Sequence, residues 1–355
     1  MRVVFFSAKR YDKTSFGGRT CDHELVFLEA RLEQTTACLA EHADIVCVFV
    51  NDVVNVAVLR KLHEYGIKAI ALRCAGYNNV DLEEAEKLGI QVVRVPRYSP
   101  HAVAEHAVSL LLTAVRRMHR AVARVREGNF ELSGLLGFDI FGRTVGVVGT
   151  GAIGACFAKI MLGFGCRVLA YDVYPNEELK GVGVEYVEGF EDLCRECDII
   201  SLHCPLLPST SHLVRKETLE LMKDGVTVIN TSRGALIDTC DMIEAVKRGK
   251  VGLLCLDVLE EEAGVFFDDH SEDILHDDVS RLITMPQVVT TGHQAWFTSN
   301  ALDQIAAVTL KNIDDVANGI VNYELSTLLD VIIRYFLCVT HVGVPCKNRV
   351  FQQYN

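Results

Sequence analysis

Positive charge is what this sequence has little of. In 355 residues Lys and Arg number 35 against 47 Asp and Glu, for a formal charge of −12, and no basic run occurs. Such a surface cannot track a phosphate backbone, so nucleic acid is not an expected partner. Long apolar runs are also missing: the apolar stretch of the tail from Ile332 is broken by Arg334 and His341, too short to cross a bilayer. No membrane association is expected. The start of the chain has no charged segment leading into a long apolar core and a cleavage site. Met1 to Ser7, followed by Ala8-Lys9-Arg10, reads instead as a first core strand, and a cytoplasmic location follows as an expectation. Prolines number only seven and tryptophan only one, so Pro96, Pro100 and Trp296 stand out.

Cysteine, by contrast, is abundant, with 13 residues scattered through strand and helix patterns. In a chain this long that distribution reads as buried thiols rather than a disulfide framework. The one C-x-x-C, Cys194 to Cys197, has no second pair at metal spacing and lies at the end of an amphipathic stretch, so packing is its expected role. His101 and His106 are five apart, not the one-turn pair of a zinc helix, and no metal is expected. The acidic stretch Glu260 to Asp278 lacks the glycine-centred spacing of a calcium loop and reads as a solvated excursion.

Half the residues are hydrophobic, and the length suits about two domains. Strand-like runs at Val3–Phe6, Ile45–Val50, Ile67–Leu72 and Gln91–Val95 alternate with helical patterns, predicting a parallel α/β domain. After Pro96 and Pro100 one long helix is expected from His101 to about Arg126. Six further strands are expected at Val145, Val168, Ile199, Val226, Leu253 and Val288, then a helix from Ser299 to Ala317 that returns to the first domain. The expected layout is thus α/β with two parallel doubly wound sheets: a discontinuous domain of residues 1–100 and 297–333, a second domain of residues 101–296, and a tail from 334 to 355. Ligands of such sheets bind beyond the carboxyl ends of the strands, which places a substrate in a cleft between the two domains.

The strongest local signal is Val145-Gly146-Val147-Val148-Gly149-Thr150-Gly151-Ala152-Ile153-Gly154. An apolar strand runs into Gly149 for a tight turn, Gly151 for close approach of backbone to a pyrophosphate, and Gly154 for helix packing. Asp172, 18 positions after Gly154, ends the next strand-like run. Its carboxylate can accept from ribose hydroxyls and would repel a 2′-phosphate, so NAD is the expected cofactor. Three polar residues stand at or beyond later strand ends: Arg233, a planar fork suited to a carboxylate; Glu262; and His293, able to exchange a proton near neutral pH. A carboxylate hydrogen-bonded to the imidazole favours the imidazolium, the form needed to protonate a carbonyl oxygen.

These strings resemble the D-isomer-specific 2-hydroxyacid dehydrogenases. The similar segments are Leu72-Arg73-Cys74-Ala75-Gly76-Tyr77-Asn78-Asn79-Val80-Asp81, Arg94-Val95-Pro96-Arg97-Tyr98-Ser99-Pro100-His101-Ala102-Val103-Ala104-Glu105-His106, Asn230 to Asp238, Leu256 to Glu260, and Thr291-Gly292-His293-Gln294-Ala295. The resemblance implies a Rossmann-type NAD domain and a flavodoxin-like substrate domain. It further implies a catalytic trio of Arg233, Glu262 and His293, with the backbone at Ala75 and Gly76, and Tyr98, on the substrate carboxylate. Gly149, Gly151, Ala152, Ile153, Gly154, Asp172, Cys204, Pro205, Thr231, Ser232 and Asp257 would bind NAD. Tyr98-Ser99-Pro100 looks like the branch that reduces pyruvate to D-lactate, and the helix from His101 to Arg126 like the one that pairs two subunits, so a homodimer is implied. Trp296 departs from the phenylalanine usual in the pocket for the substrate methyl group. The alternatives are another small 2-oxo acid (hydroxypyruvate, glyoxylate or a branched one) and, in a different class, a dinucleotide-sensing corepressor or scaffold.

Overall fold

The computed structural model describes residues 1–262, 265–272 and 277–320. The described residues divide into two units, Met1–Ser99 with residues 298–320, and Pro100–Phe297. The first holds a sheet of β1 (Arg2–Phe5), β2 (Glu24–Phe27), β3 (Ile45–Val48), β4 (Ala69–Leu72) and β5 (Gln91–Arg94), all parallel, in the order β2-β1-β3-β4-β5. This is the flavodoxin-like strand order. Every residue of β3 and β4 is buried, which is why these segments read as continuous apolar runs rather than alternating ones. The sequence pattern predicts four strands here; the fifth, β2, is an edge strand paired only with β1 and half-exposed, so it carries no such run. The helix Ser299–Ala317 begins where Thr298 accepts from the Ala301 amide, and it packs on β4 and β5. The expected tail of residues 334–355, and residues 321–333 of the expected first domain, lie outside the described residues.

At the carboxyl ends of these strands sits a buried ionic network. Asp52 accepts from Ser7 Oγ at 2.6 Å and from the Leu32 and Phe49 amides at 2.7 Å each, while Arg73 bonds Asp12 at 3.1 Å and the Ser7 carbonyl at 3.0 Å. Buried charges survive only when partnered in this way, and the partners here pin the loops that leave β1, β3 and β4.

The second unit contains β6 (Thr144–Val148), β7 (Arg167–Tyr171), β8 (Glu185–Tyr186), β9 (Ile199–Leu202), β10 (Val226–Asn230), β11 (Val251–Leu256) and β12 (Val288–Thr290). All pair in parallel in the order β12-β11-β10-β9-β6-β7-β8, the Rossmann arrangement with one strand added. The seventh strand, β8, is two residues long and escapes a pattern search. The single helix expected over 101–126 is two, Pro100–Val115 and Met118–Arg126. They are separated at Arg117, whose φ of +50° cannot continue a right-handed helix. Nine residues of the first helix are buried, seven of them in one cluster with the sheet and the helix Ala152–Gly163, whereas the second buries none.

Candidate active site

The order of the sheet reverses at β6, which lies between β9 and β7, so the loop after Val148 opens at the switch point. Gly149 there has φ of +90°, and a Cβ on it would lie 2.7 Å from the Cys204 amide nitrogen. A Cβ on Gly154 would lie 1.9 Å from the Gly149 carbonyl oxygen, so the helix Ala152–Gly163 closes on the turn only with glycine. Gly151, the residue before that helix, offers no side-chain cap, and nothing stands within 4 Å of where its Cβ would be. The first amides of the helix, at Ala152, Ile153 and Gly154, are therefore left for an anion. Asp172 follows β7, where its carboxylate accepts from the Thr150 amide at 2.5 Å and the Tyr174 amide at 2.9 Å.

The ends of β9 and β10 continue the same face. Ser232 Oγ donates to the Cys204 carbonyl at 2.7 Å, joining the two strand ends beside the exposed Pro205. Thr231 is 8% exposed, and its hydroxyl has no hydrogen-bond partner among the described residues. An orphaned hydroxyl, an uncapped helix head and a carboxylate at the next strand end fit a dinucleotide. Burial pushes the Cys204 thiol up to about 11, and those of Cys194 and Cys197 up to about 12. All three are protonated packing groups rather than nucleophiles.

Arg233 follows β10, its carbonyl held by Asn230 Nδ2 at 2.8 Å. A Cβ on the next residue, Gly234, would lie 2.0 Å from the Leu259 carbonyl carbon, and this close crossing brings the segment after β11 alongside Arg233. That segment carries Glu262. One Glu262 oxygen accepts from the Leu259 amide at 3.3 Å, and the other meets His293 Nδ1 at 3.2 Å. His293, two residues beyond Thr291, has φ of +54°, a left-handed conformation costly for a side chain of its size. The surroundings hold it there: Trp296 Nε1 donates to the His293 carbonyl at 2.8 Å, and the Phe267 ring lies 5.7 Å from the imidazole. Trp296, expected against the substrate, is 8% exposed and braces the histidine loop.

Asp257 is the hidden centre of this arrangement. It is fully buried, accepting from Thr291 Oγ1 at 2.5 Å and from the Gln294 and Ala295 amides at 2.9 and 2.8 Å, so it grips the chain on both sides of His293. Burial alone would raise its carboxyl, but hydrogen bonds led by that of His106 outweigh burial and hold it below the usual carboxylate range. His106 Nε2 lies 3.0 Å from Thr291 Oγ1 and 3.4 Å from Asp257. In the sequence His106 is marked only as lying five residues after His101, which is not a metal spacing. The available signal was its position one turn before Leu110, on the helix face that meets β11. On the first unit, Ala75, Gly76 and Tyr98 are half-buried residues in the loops beyond β4 and β5.

His203, beside the glycine turn, has its Nε2 2.9 Å from Ser201 Oγ and its ring 4.9 Å from Phe157. Burial pushes it down to about 3 from an ordinary 6.5. Above pH 6.5 both folded and unfolded chains keep it neutral. Between 6.5 and 3 only the unfolded chain takes the proton, so stability falls with pH, with a ceiling of about 1.4 kcal/mol per unit. Urea unfolding at pH 5.5 and 7.5 is expected to show this loss, and His203→Gln to reduce it; an unchanged difference in the variant would contradict the assignment.

An open helix head, a carboxylate at the next strand end and an imidazole–carboxylate pair beyond later strands of the same sheet fit a dehydrogenase that uses NAD. Residues 108–295 match the family described as D-isomer specific 2-hydroxyacid dehydrogenase, NAD binding domain, and the chain belongs to that family. It is 51% identical over 327 residues to D-lactate dehydrogenase kk1H of Curvularia clavata, covering 90% of this chain and 93% of that one. Among solved structures it resembles the pyruvate reductase of Chlamydomonas reinhardtii (TM-score 0.84, 43% identity, 89% and 96% of the chains covered). It also resembles apo D-lactate dehydrogenase from Escherichia coli (TM-score 0.83, 45% identity, 90% and 98% covered).

Proposed function

We propose that this chain reduces pyruvate to D-lactate reversibly, with Arg233, Glu262 and His293 as its catalytic residues. The observation that carries the reading is the contact of 3.2 Å between His293 Nδ1 and Glu262, on a unit built to bind NAD. NADH, held at the glycine turn by residues 149–154 with Asp172, Thr231 and Ser232, would supply a hydride to the carbonyl carbon. With Nδ1 turned to the carboxylate, Nε2 of the imidazolium is the nitrogen left to protonate the developing alkoxide. Two electrons and two hydrogens would thereby enter the substrate, one hydride from the cofactor and one proton from His293, leaving the oxidised cofactor. Arg233 is assigned to pairing with the substrate carboxylate and polarising the neighbouring carbonyl; on the first unit, the Ala75 and Gly76 amides and Tyr98 are assigned to carboxylate binding. The reading is supported by relatives named D-lactate dehydrogenase and pyruvate reductase. Steady-state rates with pyruvate, hydroxypyruvate, glyoxylate and 2-oxoisocaproate test it: pyruvate is expected to give the highest kcat/KM, and preference for another acid would move the substrate assignment.

The same reading carries a reducing, cytosolic setting and a homodimer. The 11 cysteines among the described residues are all free. The helix Met118–Arg126 leaves Met118, Val122 and Val125 about half-exposed, and Phe130, Leu132 and Leu136 beyond it are more exposed still. An apolar surface of that extent suits a second copy of the chain. Light scattering is expected to give twice the chain mass; a monomer at micromolar concentration would contradict it.

A further inference from the structure

Beyond β4 three consecutive carbonyls are occupied. The Cys74 carbonyl accepts from the Val95 amide at 3.2 Å, the Ala75 carbonyl from Arg94 Nη1 at 2.7 Å, and the Gly76 carbonyl from the Cys74 thiol at 3.2 Å. The amides of Ala75, Gly76 and Tyr77 donate to no group among the described residues. Adjacent unpaired N–H groups form a concave anion site. In a trans peptide the carbonyl and the following N–H point in opposite directions, so whatever holds the Ala75 carbonyl also aims the Gly76 amide the other way.

Arg94 is that group. It lies at the end of β5, opposite Leu72 of β4 in the register, with its guanidinium carbon 5.2 Å from the centre of the Tyr77 ring. Its own carbonyl is fixed by Asn312 Nδ2 at 2.8 Å, from a residue 3% exposed on the helix Ser299–Ala317. A cation on the carbonyl side of a peptide also polarises it and strengthens its N–H as a donor. We infer that Arg94 is a positioning residue for substrate affinity: it orients the Ala75–Gly76 peptide so that its N–H receives the 2-oxo acid carboxylate, without touching the substrate. This rests on the proposed function, because it assigns the anion to the substrate.

Arg94→Gln and Arg94→Lys, assayed as full-length protein, test the inference. Arg94→Gln is expected to raise the KM for pyruvate about tenfold or more, the scale of one charge-assisted hydrogen bond, with kcat within about threefold of wild type. Calorimetric titration of oxamate into the NADH complex is expected to show a matching loss of affinity, while the Kd for NADH and the Tm stay near wild type. Arg94→Lys, which can still donate to the Ala75 carbonyl, is expected to recover most of the affinity. An unchanged KM and oxamate affinity in Arg94→Gln overturns the inference. So does an equal loss in both variants accompanied by a lower Tm, which marks a packing role. Failure of the underlying reading looks different, because the wild-type protein would then turn over no 2-oxo acid.

Discussion

His293→Ala is expected to lower kcat for pyruvate reduction by about 10³-fold, within the range of 10²–10⁴ typical of a removed general acid. The Kd for NADH and the KM for pyruvate are expected to move little. The reason is the division of labour around the imidazole. Glu262 faces Nδ1, while Asp257 and Trp296 hold the backbone on either side, so most of the loop's order comes from groups the substitution leaves in place. What disappears is the proton donor, which matters only as charge develops on the carbonyl oxygen. Stopped-flow measurement of NADH oxidation separates the chemical step from product release. A variant within tenfold of wild type in that step would remove His293 from the chemistry.

Arg233→Gln is expected to behave differently, lowering kcat/KM by about 10²- to 10³-fold through KM and kcat together. Loss of one member of a desolvated charge pair costs about 2–5 kcal/mol, much of it the penalty of leaving the substrate carboxylate unmatched. Because the guanidinium also polarises the carbonyl being reduced, its effect extends into the transition state. Glutamine keeps a planar donor at shorter reach and removes only the charge and the fork. Binding of NADH is expected to be unchanged, since among the described residues the Arg233 guanidinium makes one hydrogen bond, from Nη1 to the Ser232 carbonyl, and none to the glycine turn. A variant that loses NADH affinity but keeps its KM would assign Arg233 to the cofactor instead.

The glycine turn was legible because its demands are local: Gly149 and Gly154 meet backbone that no side chain could approach, and each is dictated by its own position. The central strands were legible for a related reason, burial on both faces, while the edge strands β2 and β8 are short or half-exposed and leave no pattern. The break at Arg117 was hidden because both flanking segments have good helical periodicity and only the backbone angle separates them. Arg233, Glu262 and His293 could be nominated from their places beyond strand ends. Asp257, His106 and Arg94 act through groups 34 or more, 185 and 19 positions away in the sequence, and no spacing rule connects them. Residues at strand ends are legible from their position alone, whereas those that hold them in place are not.

The most direct test of the central claim is to incubate the purified protein with NADH and pyruvate and resolve the product by chiral chromatography. The account predicts one NADH oxidised per pyruvate consumed and D-lactate as the only enantiomer formed. L-lactate, a racemic product, or no oxidation of NADH with pyruvate or any other 2-oxo acid would contradict it.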